Sequence, residues 1–359
     1  MPIITKKSEA FLEQYLNNAS PTGHESAGQK LWLEYIKPYI DEWHVDNYGT
    51  AYGVINPESE YRVVIEGHAD EIGWYVHFIS DDGFITVIRN GGSDHLIAPS
   101  KRVNIHTKKG TVSGLFGWPA IHTRKGEDAK LTPKLENIFI DVGAKNKEEV
   151  LEMGIHVGCV ITFEDEMMVL NDQFYVGRAL DNRMGGFCVA EVARLLKQKK
   201  KKLPFGLYIV NSVQEEVGLR GAEMITQTIK PHVAIVTDVT HDTHTPLLNK
   251  KKLGDVKCGQ GPSVTYAPAV HNKLLDLIIE TAEAQKIPIQ REASSRRTGT
   301  DTDAFAYSNG GVPAALISLP LRYMHTTVEM AHKDDVENVI KLIYETLLNI
   351  EKDHNFKYF

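Results

Sequence analysis

Apolar residues in this chain fall into two rhythms. In the first, Val, Ile and Leu run continuously through "YRVVIEGHAD" (61–70), "PFGLYIVNSV" (204–213), "PHVAIVTD" (231–238) and "GVPAALISLP" (311–320). Runs without strict alternation predict strands buried on both faces. Between them, "RMGGFCVAEVARLLKQ" (183–198) and "NKLLDLIIETAEAQK" (272–286) carry apolar residues at helical spacing. The first forty residues also read as helices. There a Thr22…Glu25 capping box in "SPTGHE" precedes Leu31, Tyr35 and Tyr39 at helical intervals. Strands alternating with helices predict an α/β fold with helices on both sides of a central sheet.

The second rhythm occupies residues 72 to about 164. "IGWYVHFISDDGFITVIRNGG", "KRVNIHTKKGTVSGLFG" and "NIFIDVG" are short strands separated by DDG, NGG and KKG turns. Only "NKEEVLEMG" (146–154) reads as helix there. The pattern predicts a mostly β domain, residues 72–164, inserted between a first part (1–71) and a second part (165–359) of the α/β domain.

Composition narrows the function. The 359 residues are 42% apolar and 24% charged, as in a soluble globular protein, and the net charge of −7 disfavours nucleic acid and anionic membrane as partners. The basic clusters "KQKKKKLP" and "NKKKLG" read as solvated connections. No apolar stretch approaches the roughly 20 residues that span a bilayer. The N-terminal stretch lacks a signal-peptide core. Cys159, Cys188 and Cys258 are widely spaced without a CxxC, which argues against a disulfide framework or a thiolate zinc site. A cytoplasmic location is the expectation.

The candidate chemistry sits at the ends of the buried runs. His68 and Asp70 follow "VVIEG", Glu215 and Glu216 follow "LYIVNSVQ", Asp238 ends "HVAIVT", and His325 lies beyond "LPLRYM". Asp181 precedes a helix in "GRALDNRMGG". Open α/β sheets bind ligands outside the carboxyl ends of their strands. Taken singly, Asp181 reads as a helix N-cap and each histidine as a hydrogen-bonded structural group. Their convergence changes the reading, because clustered carboxylates repel one another unless a cation sits among them. Mixed His and carboxylate donors suit Zn²⁺, with Co and Mn as alternatives. Five donors with an odd carboxylate suggest two metals sharing one bridging group. Side chains of adjacent extended residues point to opposite sides. One of Glu215 and Glu216 is therefore expected to ligate metal, while the other takes a proton from water. Asp70 is placed to hold the free ring nitrogen of His68.

These motifs, with "GHADEIG", "GLFGWPAIH", "ALDNRMGG", "QEEVGLRGA", "TDVTHDTHTP", "GTDTDAF" and "LISLPLRYMHTTVE", resemble metallopeptidase family forty-two nearly end to end. These are the glutamyl or deblocking aminopeptidases of TET type, some of which carry a cellulase or endoglucanase label. The resemblance implies a central mixed sheet of the di-metal exopeptidase type and an inserted small β-barrel-like dimerisation domain. It implies Asp181 as the bridging carboxylate, His68 and Asp238 at one metal, and Glu216 and His325 at the other. Glu215 would be the general base for a water shared by the metals, and Asp70 the residue that orients His68. Peptides would be the substrates, and dimers would build a dodecamer. Asn182 after the bridging Asp, and the paired Asp301 and Asp303, leave specificity unassigned. His122 stands open between a surface loop and an approach to a neighbouring subunit's site. His241 and His244 read as outer or surface groups, and Cys188 as core. Two rival readings are a non-catalytic, metal-binding peptide scaffold and a glycoside hydrolase. The second would leave the five donors unused.

Overall fold

The computed structural model describes residues 3–126 and 130–359. The four apolar runs form the strands Arg62–His68, Gly206–Ser212, Val233–His241 and Ala314–Arg322. They lie parallel in the order Gly206–Ser212, Arg62–His68, Val233–His241, Ala314–Arg322, at the centre of an eleven-stranded sheet. Val63, Val64, Ile65, Ile235 and Val236 are fully buried, as sequestration on both faces requires. The sheet is mixed because short antiparallel strands extend both flanks. The Glu42–Val45 and Ala51–Ile55 hairpin lies on one side, and Glu329–His332, Phe174–Gly177 and Met168–Leu170 on the other. None of these carries a long apolar run, so periodicity alone passes over them.

Helix Leu180–Gln198 packs against the Arg62–His68 strand and is backed by Ser26–Ile36 and Lys333–Asn349. The approach is close because three glycines meet. A Cβ on Gly67 would lie 2.6 Å from the carbonyl carbon of Gly185 and 2.7 Å from the nitrogen of Gly186. That contact brings Asp181, at the head of the helix, up to His68. Helices Arg220–Ile229 and Thr302–Ala306 form a separate pair packed on the sheet. Among the described residues no helix is long and apolar enough to cross a membrane.

Between Gly73 and Phe163 six strands close a barrel with a core of its own, including Trp74, Val87, Ile105, Phe116, Ile140 and Ile161. The expected helix spans Lys147–Glu152 and is capped by Asn146. In the DDG and KKG turns Gly83 and Gly110 take positive φ (+84° and +123°), which a side chain would strain. His122 lies exposed on the 3-10 turn Ile121–Thr123.

The Thr22…Glu25 capping box does not form. Thr22 Oγ1 donates instead to Asp70 Oδ2 (2.9 Å), while Glu25 Oε1 accepts from the backbone of Gly23 (2.7 Å) and Gln214 (3.2 Å). Tertiary acceptors and donors outcompete the local helix terminus. Helix Ser26–Ile36 starts without a side-chain cap.

Candidate metal centre

Strand register sets the height of the site. Ser212 pairs with His68, and Val236 pairs with Glu66, so Asp238 comes level with His68 two residues on. Asp238 is not the last residue of its strand, which continues to His241. Asp181 enters from the helix side after Ala179 in a left-handed conformation (φ +62°). Asn182 fixes this turn by donating to Thr237 O (2.8 Å) and accepting from the Gly185 amide (3.1 Å). His325 arrives from the loop after Ala314–Arg322, itself left-handed (φ +61°).

The seven residues singled out in the sequence converge. Asp181 stands between the two histidines, with Oδ1 3.4 Å from His68 Nε2 and Oδ2 3.2 Å from His325 Nε2. Asp238 Oδ1 lies 3.9 Å from His68 Nε2, and Glu216 Oε1 3.4 Å from His325 Nε2. His68–Asp181–Asp238 and Asp181–Glu216–His325 each bring donor atoms within 4.8 Å of one another. The cavity they line measures about 310 Å³. Two neutral-capable imidazoles and buried carboxylate oxygens are the donor set of a divalent cation. Among the described residues no Lys or Arg pairs with Asp181, Glu215, Glu216 or Asp238. The donor set therefore fits two cations.

One expectation fails. Glu215 and Glu216 do not point apart, since the chain leaves its strand at Ser212 and turns at Gln214 (φ +58°) into a 3-10 turn, Glu215–Val217. Both carboxylates then face the cluster, with Glu215 Oε2 3.8 Å from His68 Nε2. Strand geometry does not apply to a residue that has left the strand.

Asp70 does more than was expected of it. Its Oδ1 lies 3.2 Å from His68 Nδ1, although that nitrogen finds no aligned hydrogen-bond partner. Its well-formed hydrogen bonds come from the amides of Glu215 (3.0 Å, to Oδ1) and Glu216 (3.2 Å, to Oδ2). Asp70 thus holds the glutamate turn as well as facing the ring. Glu25, pushed up to about 7 by burial and by Asp70, pins the same turn through Gln214.

Protonation follows from burial and crowding. Burial, then the carboxylates of Asp238, Asp301 and Glu216 against the opposing charge of His68, pushes Glu215 up to about 10. Burial raises Asp238 well above the carboxylate range and raises Glu216. Burial would also raise Asp181, but hydrogen bonds from His325 and His68 hold it low. Burial opposes the charge on His325, yet Asp181 and Glu216 carry it up to about 11. Such a cluster holds protons that a cation would replace.

Two contributors were not singled out from the sequence. Glu329, buried, accepts the Asp181 amide on Oε2 (3.0 Å) and the His325 amide on Oε1 (2.7 Å), joining the two halves of the site. Its sequence signal was its place four residues after His325. Gly92, in the NGG turn of the barrel, is the second: a Cβ there would lie 2.5 Å from His325 Nδ1. Asp301 accepts from Ser212 Oγ (2.6 Å) beneath the site, while Asp303 accepts the Thr298 amide on both oxygens (3.1 Å). His241 is exposed beside the cavity. His244 pairs with Asp255 (2.7 Å) at the surface, and Cys188 is buried.

Two variants test the supports. Glu329→Ala should lower metal affinity about 10–100-fold, as loss of an outer hydrogen-bond partner does elsewhere. Calorimetric metal titration would read this, with Glu329→Asp as the partial rescue. Gly92→Ala should weaken only the ion held by His325, since the added methyl group meets that ring. Metal analysis with retained circular dichroism would check it.

A family model described as M42 glutamyl aminopeptidase matches residues 49–342. The chain belongs to this family. It is therefore a peptide-bond hydrolase of the metallo-aminopeptidase class. It is similar to the lysyl aminopeptidase of Pyrococcus furiosus, 33% identical over 92% of this chain and 94% of that one. Among solved structures it resembles a TET aminopeptidase from Thaumarchaeota archaeon SCGC AB-539-E09, at TM-score 0.92 and 30% identity over 97% of both chains. It also resembles the Pyrococcus horikoshii TET1 peptidase, described as assembling into a tetrahedron or a large octahedral shell. There the TM-score is 0.84 and the identity 27%, over 94% of this chain and 98% of that one.

Proposed function

We propose that this family member is a di-metal aminopeptidase that removes N-terminal residues from peptides. The observation that carries the reading is the position of Asp181, with one carboxylate oxygen toward His68 and the other toward His325. His68 and Asp238 would hold one ion, Glu216 and His325 the other, with Asp181 between them. Zn²⁺ suits the donors best, with Co²⁺ or Mn²⁺ as substitutes. When bound, the ions supply Lewis acidity, which lowers the pKa of water and polarises the scissile carbonyl.

The chain's own groups do the rest. Glu215 Oε2 takes a proton from the attacking water and passes it to the nitrogen of the leaving amine. A bound cation would pull its pKa down from the raised value that burial gives it. Asp70 and Glu25 keep Glu215 in place through the backbone, and the 310 Å³ cavity limits bulk water at the carboxylates. The barrel is the proposed dimerisation unit, and dimers are proposed to build a dodecamer. The three cysteines are free and buried, in keeping with a reducing cytoplasm.

A panel of aminoacyl reporter amides tests the activity, using protein stripped of metal and refilled with Zn, Co or Mn. Turnover should require metal and vanish for an N-acetylated peptide. Two ions bound per chain with no turnover would instead favour the non-catalytic scaffold.

A further inference from the structure

Continuous with the metal centre, along Val239, Thr240, Thr298 and Thr300, lies a second cavity of about 440 Å³ that the proposed mechanism does not use. Its role follows from the direction of proton transfer, and so rests on the aminopeptidase reading. If Glu215 protonates the leaving amine, the departing peptide lies on the Glu215 side. A separate, open cavity of about 990 Å³ begins there, lined by Glu215, Glu216 and Gly218. The side chain of the substrate's first residue must then point the other way, past Asp238 and Thr240.

The chemistry of that second cavity is specific. It is walled in part by the strand Gln290–Ala293, whose alternating burial turns Glu292 inward while Arg291 and Ala293 face out. The Glu292 carboxylate accepts one hydrogen bond from Thr240 Oγ1 (2.7 Å) and one from Thr265 Oγ1 (2.8 Å). Both donors are neutral, so its charge is left uncompensated. Arg291 turns instead toward Glu283 (3.9 Å), and Lys252 is exposed on the helix Lys250–Leu253. The hydroxyl of Ser318, buried in the same wall, has no hydrogen-bond partner. A carboxylate with spare lone pairs and an idle hydroxyl at the far side of a pocket suit a cationic head on a flexible stem.

We infer that this cavity receives the side chain of the substrate's N-terminal residue, and that Glu292 makes it select lysine or arginine. An N-terminal glutamate would meet a like charge there and be rejected.

The test uses metal-loaded, full-length protein with the aminocoumarin amides of Lys, Arg, Leu and Glu. The wild type should favour Lys or Arg over Leu, and over Glu by at least about tenfold in kcat/KM, the scale of one charge-assisted hydrogen bond. Glu292→Gln should lower the Lys-to-Leu ratio of kcat/KM at least about tenfold, mainly through KM. Glu292→Lys should move the ranking toward Glu. Should the Lys variant fail to fold, the near-isosteric Gln variant decides, with circular dichroism to show that it is folded. A wild type that prefers Leu or Glu, or a Gln variant with an unchanged ratio, would overturn the assignment while leaving the aminopeptidase intact. Absence of turnover on all four amides, with two ions bound, would overturn the aminopeptidase reading and this inference with it.

Discussion

Glu215→Gln is expected to lower kcat by about three orders of magnitude, within the range that a positioned general base contributes. The change keeps shape and removes the proton acceptor. Because Glu215 lies outside both groups of donors that share Asp181, the two ions should remain bound. Because its amide is still held by Asp70, the 3-10 turn should keep its form. KM should change little, since the lost interaction belongs to the transition state. Stopped-flow or steady-state kinetics beside metal analysis on the same sample would check this. A variant with full metal content and near-normal kcat would remove Glu215 from the mechanism. A variant that loses metal would make it a ligand, which the 3.8 Å approach to His68 Nε2 leaves sterically open.

Asp181→Ala should have the larger effect on metal content. Asp181 is the one side chain with an oxygen facing each histidine, so its removal takes a donor from both halves. Asp238→Ala takes a donor from one half only. Expected occupancy is therefore near zero for Asp181→Ala and near one ion for Asp238→Ala, read by atomic emission on dialysed protein. Activity should be lost in both. The Asp181 variant should also lose the stabilisation that metal gives the wild type, because a ligand bound only by the folded state raises its melting temperature. Two retained ions in Asp181→Ala would refute the bridging arrangement.

The glutamate pair shows where reading the sequence stops. "QEEVG" revealed two functional carboxylates, since two adjacent charges at the end of a buried strand have few structural uses. The inference about their directions rested on strand geometry, which ends at Ser212. Gln214 in the left-handed region reorients both side chains, and nothing in five residues announces that turn. Thr22 and Glu25 teach the same lesson from the other side. Their spacing is that of a capping box, but partners some fifty and nearly two hundred residues away take their hydrogen bonds. Glu329 was visible only as a letter after "HTTV", because its work is to accept two backbone amides brought together by separate strands and loops.

The sequence by itself determined the elements built from long apolar runs, the positions at which His, Asp and Glu follow them, and the boundary where buried strands give way to short turn-linked ones. Those features are local, written in burial period and turn chemistry, and survive any later packing. Tertiary structure decided which donors share an ion, because that depends on strand register and on Gly67 meeting Gly185 and Gly186. It also decided that a barrel glycine abuts His325 and that Glu292 faces a cavity beside Asp238. Such contacts join residues far apart in the chain, and only the folded backbone sets the distances between them.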